Sequence, residues 1–288
     1  MTVAIYGSRR QTQVGDIVAA FLQVLARRGD KVLMHTKLYD HLSELIPHAL
    51  GDVRRTAVLP DSGVDLAVSL GGDGTFLRTA QWLDGREVPV VGVNTGHLGY
   101  LAALSIDQLP QLPALIAADA LRIERRSVLA VDSPALPDYV GSFALNEVAI
   151  TKEESSSMIS AAVSVGDQAL AEYRADGLIV CTPTGSTAYN LSVGGPIVDP
   201  SLEVCVISPV AAHSLSMRPL VLGTRSAIRI EPSGRARHVR IAIDGRSVLI
   251  DTGTPVELRL APFKVLVMQP ADHTFADTLR QKLHWGEN

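Results

Sequence analysis

The sequence is poor in the residues that staple, anchor or strongly charge a protein. Only two cysteines occur, Cys181 and Cys205, each in an apolar, strand-like run and far from any CxxC spacing. Neither a disulfide framework nor a thiolate metal site is indicated, and a reducing, cytoplasmic setting is expected. No segment approaches the roughly 20 apolar residues of a membrane-spanning helix. The start reads as a short apolar strand followed by Arg9 and Arg10, the reverse of a secretory signal's order. A net charge of −4 excludes a global positive field for nucleic acid or an anionic membrane, so any phosphate binding must be local. Three chemical signatures are missing as well: GxxxxGK[ST], GxGxxG and HExxH.

What is present is 288 residues, 47% hydrophobic and 19% charged, enough for about two domains with a core each. The first third alternates short apolar runs with helical spacing. A strand over 3–6 precedes a stripe of Val14, Ile17, Val18, Phe21, Val24 and Leu25, which recurs at helical period; Gly29 stops it, and a strand over 31–35 follows. These make a βαβ unit and predict a parallel sheet. A further strand over 65–70 runs into Gly71-Gly72-Asp73-Gly74-Thr75, with a helix expected over 76–82. The next, over 88–93, ends in a second glycine-rich stretch at 92–99. Both loops follow strand carboxyl ends, where open α/β sheets place ligands. From about Leu121 short strands and turns take over, at 143–151, 159–165, 177–181, 204–207, 226–230, 239–243 and 256–260. Their spacing predicts a β-sandwich, and a last helix over 274–283 is expected to return to a surface groove.

Three constellations carry chemistry. The 71–75 loop can bring bare backbone N–H groups to an anion at a helix start, or it is a tight glycine turn with a solvated Asp73. A carboxylate inside an anion loop makes sense if it accepts the proton of an attacking alcohol or helps a magnesium ion bridge phosphates through water. Asn146-Glu147 pairs an amide with a carboxylate that together can hold two ribose hydroxyls, or it is a strand-edge pair. The 174–192 stretch sets Thr182, Thr184, Ser186, Thr187 and Ser192 around Pro183 and Gly185, offering uncharged donors to a nucleoside or amide, or simple turn chemistry. His97 and His213 lie near these segments with no role assigned. Arg235, Arg237, His238 and Arg240 read as a solvated hairpin.

In this order, GGDGT at 71–75, GVNTGHLGYL at 92–101, Asn146-Glu147, DGLIVCTPTGSTAYNLSVGGP at 176–196 and MRPL at 217–220, the chain resembles the NAD kinase family over nearly its whole length. GGDG is shared with diacylglycerol and sphingosine kinases and with phosphofructokinase; the TPTGSTAY segment separates this family from them. The resemblance implies an α/β nucleotide-binding domain (1–120), an all-β sandwich that binds the dinucleotide (121–270), and a C-terminal helix (271–288) packing back on the first domain. It implies transfer of a phosphoryl group from ATP, with a divalent cation, magnesium, to the 2′-hydroxyl of the adenosine ribose of NAD.

By the same resemblance Asp73 is the proton acceptor and Gly74 lies beside the ribose. Asn146 and Glu147 contact ribose hydroxyls, and Asp176 with Thr187, Ala188, Tyr189, Asn190, Leu191 and Ser192 lines the dinucleotide pocket. Arg78, Arg174 and Arg246 are phosphate or dinucleotide contacts, Arg246 at a place linked to the choice among related dinucleotides. Relatives are commonly homodimers or homotetramers. Cys181 replaces a common Ser and Tyr100 a common Phe, and neither removes a role. A lipid kinase on the same loop, or a non-catalytic NADP sensor, are the competing readings. No basic amphipathic helix stands out to favour the first, and the intact Asp73 speaks against the second.

Overall fold

The computed structural model describes residues 1–7, 14–96, 99–153, 158–223 and 226–286; Arg9, Arg10 and His97 lie outside them. The chain forms two compact units, one of Met1–Arg125 with Val265–Asn288 and one of Arg126–Lys264.

The first unit is α/β. Its strands are β1 (Thr2–Gly7), β2 (Lys31–His35), β3 (Val53–Thr56), β4 (Leu66–Leu70), β5 (Pro89–Asn94), β6 (Leu104–Ser105) and β7 (Leu121–Arg126); its first helices are α1 (Gly15–Arg27), α2 (Thr36–Leu45), α3 (Asp73–Leu83) and α4 (Leu112–Ala117). β4 is buried at every position, as expected of a parallel strand covered on both faces. It lies between β1 and β5, parallel to both. Helix α1 turns Val18, Phe21, Leu22 and Leu25 inward, and Gly29 adopts φ 72° just beyond it, a backbone state that suits glycine at a helix end. The sheet order β3-β2-β1-β4-β5 means the chain walks outward from β1 and then returns to its other side. The loops after β1 and β4 therefore part at a topological switch point, and GGDGT follows β4 there.

A strand from the far end of the chain, Val265–Pro270, continues this sheet in parallel with β5. The resemblance counts this stretch in the sandwich, which it closes at 270; it pairs instead in the sheet of the first unit. Local pattern cannot tell which sheet a buried strand joins, because the partner is about 175 residues away in the chain.

The second unit is all-β. Its strands are β8 (Leu129–Asp132), β9 (Phe143–Ala144), β10 (Glu147–Lys152), β11 (Ile159–Val165), β12 (Gln168–Ala175) and β13 (Gly177–Cys181), then, after the short helix α5 (Tyr189–Ser192), β14 (Val204–Val210), β15 (Leu220–Gly223), β16 (Ile228–Ser233), β17 (His238–Ile243), β18 (Arg246–Asp251) and β19 (Val256–Leu260). They form two sheets, β15-β14-β13-β10-β17-β18 and β12-β11-β16-β19-β8-β9. Val148, Val180, Ile207 and Ile241 from the first pack with Leu129, Ala161, Ile230 and Leu258 from the second in one core, which is a sandwich. The chain then passes through β20 (Val265–Pro270) into α6 (Phe275–Leu283), capped reciprocally by Thr274 and Asp277.

The strand expected over 143–151 is two strands. β9 belongs to one sheet and β10 to the other, with Leu145 and Asn146 at the crossing. A second crossing falls at Asp176, between β12 and β13. Gly177 is required beside it, since a Cβ there would lie 2.8 Å from the Ile150 carbonyl oxygen.

Candidate active site

In the first unit the acidic loop is built by its glycines. Gly71 takes φ +146°, and a Cβ on it would sit 2.4 Å from Thr75 Oγ1. Gly72 caps α3, and the amides of Thr75 and Phe76 donate to its carbonyl at 2.8 and 3.1 Å. Fully buried Phe76 anchors the first turn, a burial worth about 1.5–3 kcal/mol. The helix expected from 76 thus begins at Asp73, which occupies its first turn, where the helix dipole favours a negative charge.

Asp73 is also held from the second glycine stretch. Its carboxylate accepts the Tyr100 amide at 2.8 Å and the Leu101 amide at 3.0 Å. A Cβ on Gly99 would lie 2.0 Å from Asp73 Oδ1, so the last glycine of GVNTGHLG exists to let this carboxylate in. The charge that looked out of place in an anion loop is therefore countered by two amides and a helix start. Each carboxylate oxygen keeps lone-pair capacity for a ligand.

Arg78 is exposed on α3, and five residues from Asp73 place it about 140° around the helix axis; the two do not share a face. Lys282 on α6, which no sequence motif singles out, does approach. Burial lowers its amine from the usual range while the Asp73 charge holds it up. With Gly99, Tyr100, Gln269, His273 and Gln281 it lines a cavity of about 200 Å³. Only a helix-to-loop contact spanning about two hundred residues creates that neighbourhood, and no local signal marks it.

In the second unit, Asn146 lies just before β10 and Glu147 opens it, opposite Cys181. Their geometry is set by Asp244. The amides of Leu145, Asn146 and Glu147 donate to its carboxylate at 2.8, 2.9 and 3.1 Å. Asp244 and Gly245 have φ 46° and 78°, the left-handed pair of a two-residue hairpin turn between β17 and β18. The sequence signals this turn but not its carboxylate's partners. Glu147 is pushed up to about 7, first by burial and then by the Asp244 charge, against a stabilising hydrogen bond from the Tyr189 amide. Its Oε2 is buried with no hydrogen-bond partner among the described residues.

The hydroxyl-rich turn is fastened to the same spot. The Thr182 amide donates to the Asn146 carbonyl at 2.9 Å, Thr182 Oγ1 donates to Leu145 O at 2.5 Å, and the Gly185 amide donates to Thr182 Oγ1 at 3.1 Å. Thr187 and Ala188 are half-buried and Tyr189 and Ser192 exposed, with Leu191 between. Asn190 departs from its expected part. Its side chain is 0% exposed; its Nδ2 donates to Ser186 O and Pro196 O at 2.9 and 3.0 Å, and its Oδ1 accepts from Ser208 Oγ at 2.6 Å. Its side chain braces the turn from inside.

Arg174 and Asp176 are not brought to this spot within the chain. Asp176 pairs with Lys152 Nζ at 2.8 Å, at the far end of β10, roughly 17 Å from Glu147 at the usual strand rise. Arg174 points away from the sandwich core between buried Tyr173 and Ala175. It lines a separate cavity of about 460 Å³ with Ser160, Glu172 and Arg235. Exposed His213 donates its backbone amide to the Arg174 carbonyl at 2.9 Å. Arg246 is half-buried; its Nη1 reaches Tyr139 O at 3.4 Å and its charge faces Asp244. In the basic hairpin, His238 lies 3.4 Å from both Glu153 and Asp251, and Arg237 lies 3.7 Å from Asp251.

An α/β unit with an acidic glycine loop at its switch point, followed by a β-sandwich with a braced hydroxyl-rich turn, defines a two-domain nucleotide kinase. The family model of the ATP-NAD kinase N-terminal domain matches residues 3–120, and that of the ATP-NAD kinase C-terminal domain matches residues 145–269. The chain belongs to the NAD kinase family. It is 39% identical over 286 residues to an NAD kinase of Porphyromonas gingivalis, covering 99% of this chain and 98% of that protein. Over 290 residues it is 36% identical to an NAD kinase of Bacteroides fragilis, with the same 99% and 98% coverage. Among solved structures, yeast NADH kinase complexed with NADH matches with TM-score 0.86 at 22% identity, covering 100% of this chain and 89% of that one, and shares the fold. An NAD kinase from Archaeoglobus fulgidus in complex with ATP matches with TM-score 0.72 at 26% identity, covering 99% and 98%.

Proposed function

We propose that the chain transfers the γ-phosphoryl group of ATP to the 2′-hydroxyl on the adenosine ribose of NAD, giving NADP. The observation that carries the site assignment is the pair of glycines flanking Asp73. Among the described residues a Cβ on Gly72 or Gly74 would meet nothing within 4 Å, and neither has a positive φ. The packing of those residues does not call for glycine there, and a ligand brought against bare backbone would. Phosphate or ribose at that backbone leaves Asp73 to accept the hydroxyl proton. A free aspartate is a weak base toward an alcohol, so the proton moves late and alignment with charge neutralisation dominates. A magnesium ion arriving with ATP would supply charge neutralisation there. Among the described residues no group of three or more His, Cys, Asp or Glu gathers to hold a metal.

In the second domain, Asn146 and Glu147 hold ribose hydroxyls, and Thr187, Ala188, Tyr189 and Ser192 line the dinucleotide pocket. A donor and acceptor panel tests the activity. ATP with magnesium and NAD is expected to yield NADP, while diacylglycerol or sphingosine stays unmodified. Lipid phosphorylation without NADP formation would overturn the reading, and tight NADP binding without turnover would favour a sensor. Both cysteines are free and buried, in keeping with a reducing cytoplasm, where we place the protein.

The distance of Asp176 and Arg174 from Glu147 also bears on assembly. In a homodimer or homotetramer they can serve the dinucleotide site of a second copy, and we propose that arrangement. Subunit mixing tests it. Asp73→Asn and Asp176→Asn are each expected to be impaired alone, and their co-refolded equal mixture should regain up to about a quarter of wild-type activity, the statistical share of intact sites. A mixture no better than the average of its two parents would place Asp176 outside any shared site.

A further inference from the structure

Three backbone amides in a row, those of Leu145, Asn146 and Glu147, converge on one side chain, Asp244. Strand pairing cannot satisfy these amides, because at Leu145 and Asn146 the chain is leaving one sheet for the other. The carboxylate replaces the missing partner strand. It arrives there because Asp244 adopts φ 46°, and the Asp244 amide in turn donates to the Glu147 carbonyl at 3.1 Å. We infer that Asp244 is the positioning residue of the dinucleotide site: it fixes the backbone that presents Asn146 and Glu147 to the ribose, and it places its own carboxyl against that of Glu147. The inference rests on the reading that Glu147 holds the ribose.

Two acidic side chains share a mostly buried spot, and the hydrogen bonds decide which carries the charge. Burial raises the Asp244 carboxyl from its usual range, while three amide donors and the Arg246 cation hold it down. Glu147 has one amide donor, that of Tyr189, and its Oε2 has no partner among the described residues. The Cys181 thiol also lies near Glu147; burial, and after it the Glu147 charge, push it far above neutrality. The amides and the cation thus stabilise a charge on Asp244 better than one on Glu147, whose carboxyl is pushed up to about 7. A ribose hydroxyl donating to Oε2 favours the ionised form, so dinucleotide affinity should rise with pH. Below the midpoint each pH unit costs up to about tenfold, because the ionised carboxylate is the stronger acceptor and forming it releases a proton.

Calorimetric titration of NAD into the enzyme without ATP, at pH 6 and pH 8, reads this directly. NAD itself carries no group titrating between those values. Wild type is expected to bind about tenfold more tightly at pH 8 than at pH 6. Glu147→Gln should abolish the difference. Asp244→Asn removes the opposing charge, so the midpoint moves down and the ratio should shrink, even as affinity at pH 8 falls through the loosened backbone. A merely structural Asp244 would weaken binding equally at both pH values. An Asp244→Asn protein that keeps the wild-type ratio overturns the inference while leaving Glu147 as ligand; a Glu147→Gln protein that binds like wild type at both pH values overturns the role of Glu147 itself. If Asp244→Asn does not fold, carboxyl-carbon NMR of the wild-type enzyme decides. Glu147 must titrate near neutrality beside an Asp244 that stays ionised, and a Glu147 titrating in the ordinary carboxylate range refutes the proposal.

Discussion

Replacing Asp73 with Asn is expected to lower turnover about 10²- to 10⁴-fold, the range of a lost general base, with NAD affinity nearly unchanged. The structure adds a second expectation. Both Asp73 oxygens accept a backbone amide, from Tyr100 and from Leu101, and asparagine offers only one oxygen. Its NH2 group must face one of those amides, so stability should fall by about 1–3 kcal/mol as well. Single-turnover rates on the folded fraction separate the two effects, and unfolding in urea measures the second. Near-normal turnover per folded molecule would remove Asp73 from proton transfer and leave it the clamp between two loops.

Gly185→Ala should do comparable damage in the second domain without touching an ionisable group. The new Cβ would lie 2.1 Å from the Asn146 carbonyl oxygen, 2.5 Å from its carbon and 2.7 Å from its Cα. These are backbone atoms tied to Thr182, so no side chain can swing aside. Overpacking of this kind costs about 1–3 kcal/mol. Because the displaced residue is the proposed ribose ligand, NAD should bind at least about tenfold more weakly, the equivalent of about 1.4 kcal/mol. Gly223→Ala is the control: a Cβ there meets nothing within 4 Å, and its stability and NAD affinity should match wild type. Wild-type NAD affinity in Gly185→Ala would mean that the 184–192 turn does not shape the dinucleotide pocket.

The two variants probe features of different legibility. GGDGT and TPTGSTAY are contiguous in the chain, and the order of their glycines and hydroxyls is enough to announce close backbone approach and a polar turn. The stripe of α1 and the continuous apolar run of β4 are equally legible, because helical and buried-strand periods are local properties. Reading Asp73 as a loop residue misses by one helical turn. Helix propensity is weak at a Gly-Asp-Gly start, and it is the packing of Phe76 that pulls the first turn into the helix.

Local order therefore determined the domain classes, the family and the chemistry available at each loop: an acid among glycines, an amide beside a carboxylate, a hydroxyl-rich turn. Tertiary structure alone decided that Gly99 admits the Asp73 carboxylate, that Asp244 grips the backbone at 145–147 from about a hundred residues away, and that Asn190 faces inward. It also decided that β20 joins the parallel sheet and that Asp176 stands at the opposite end of β10 from Glu147. Each of these depends on which strand lies next to which and in what register. That is set by the shared burial of distant segments, a sum over many weak contacts that no single stretch of sequence contains.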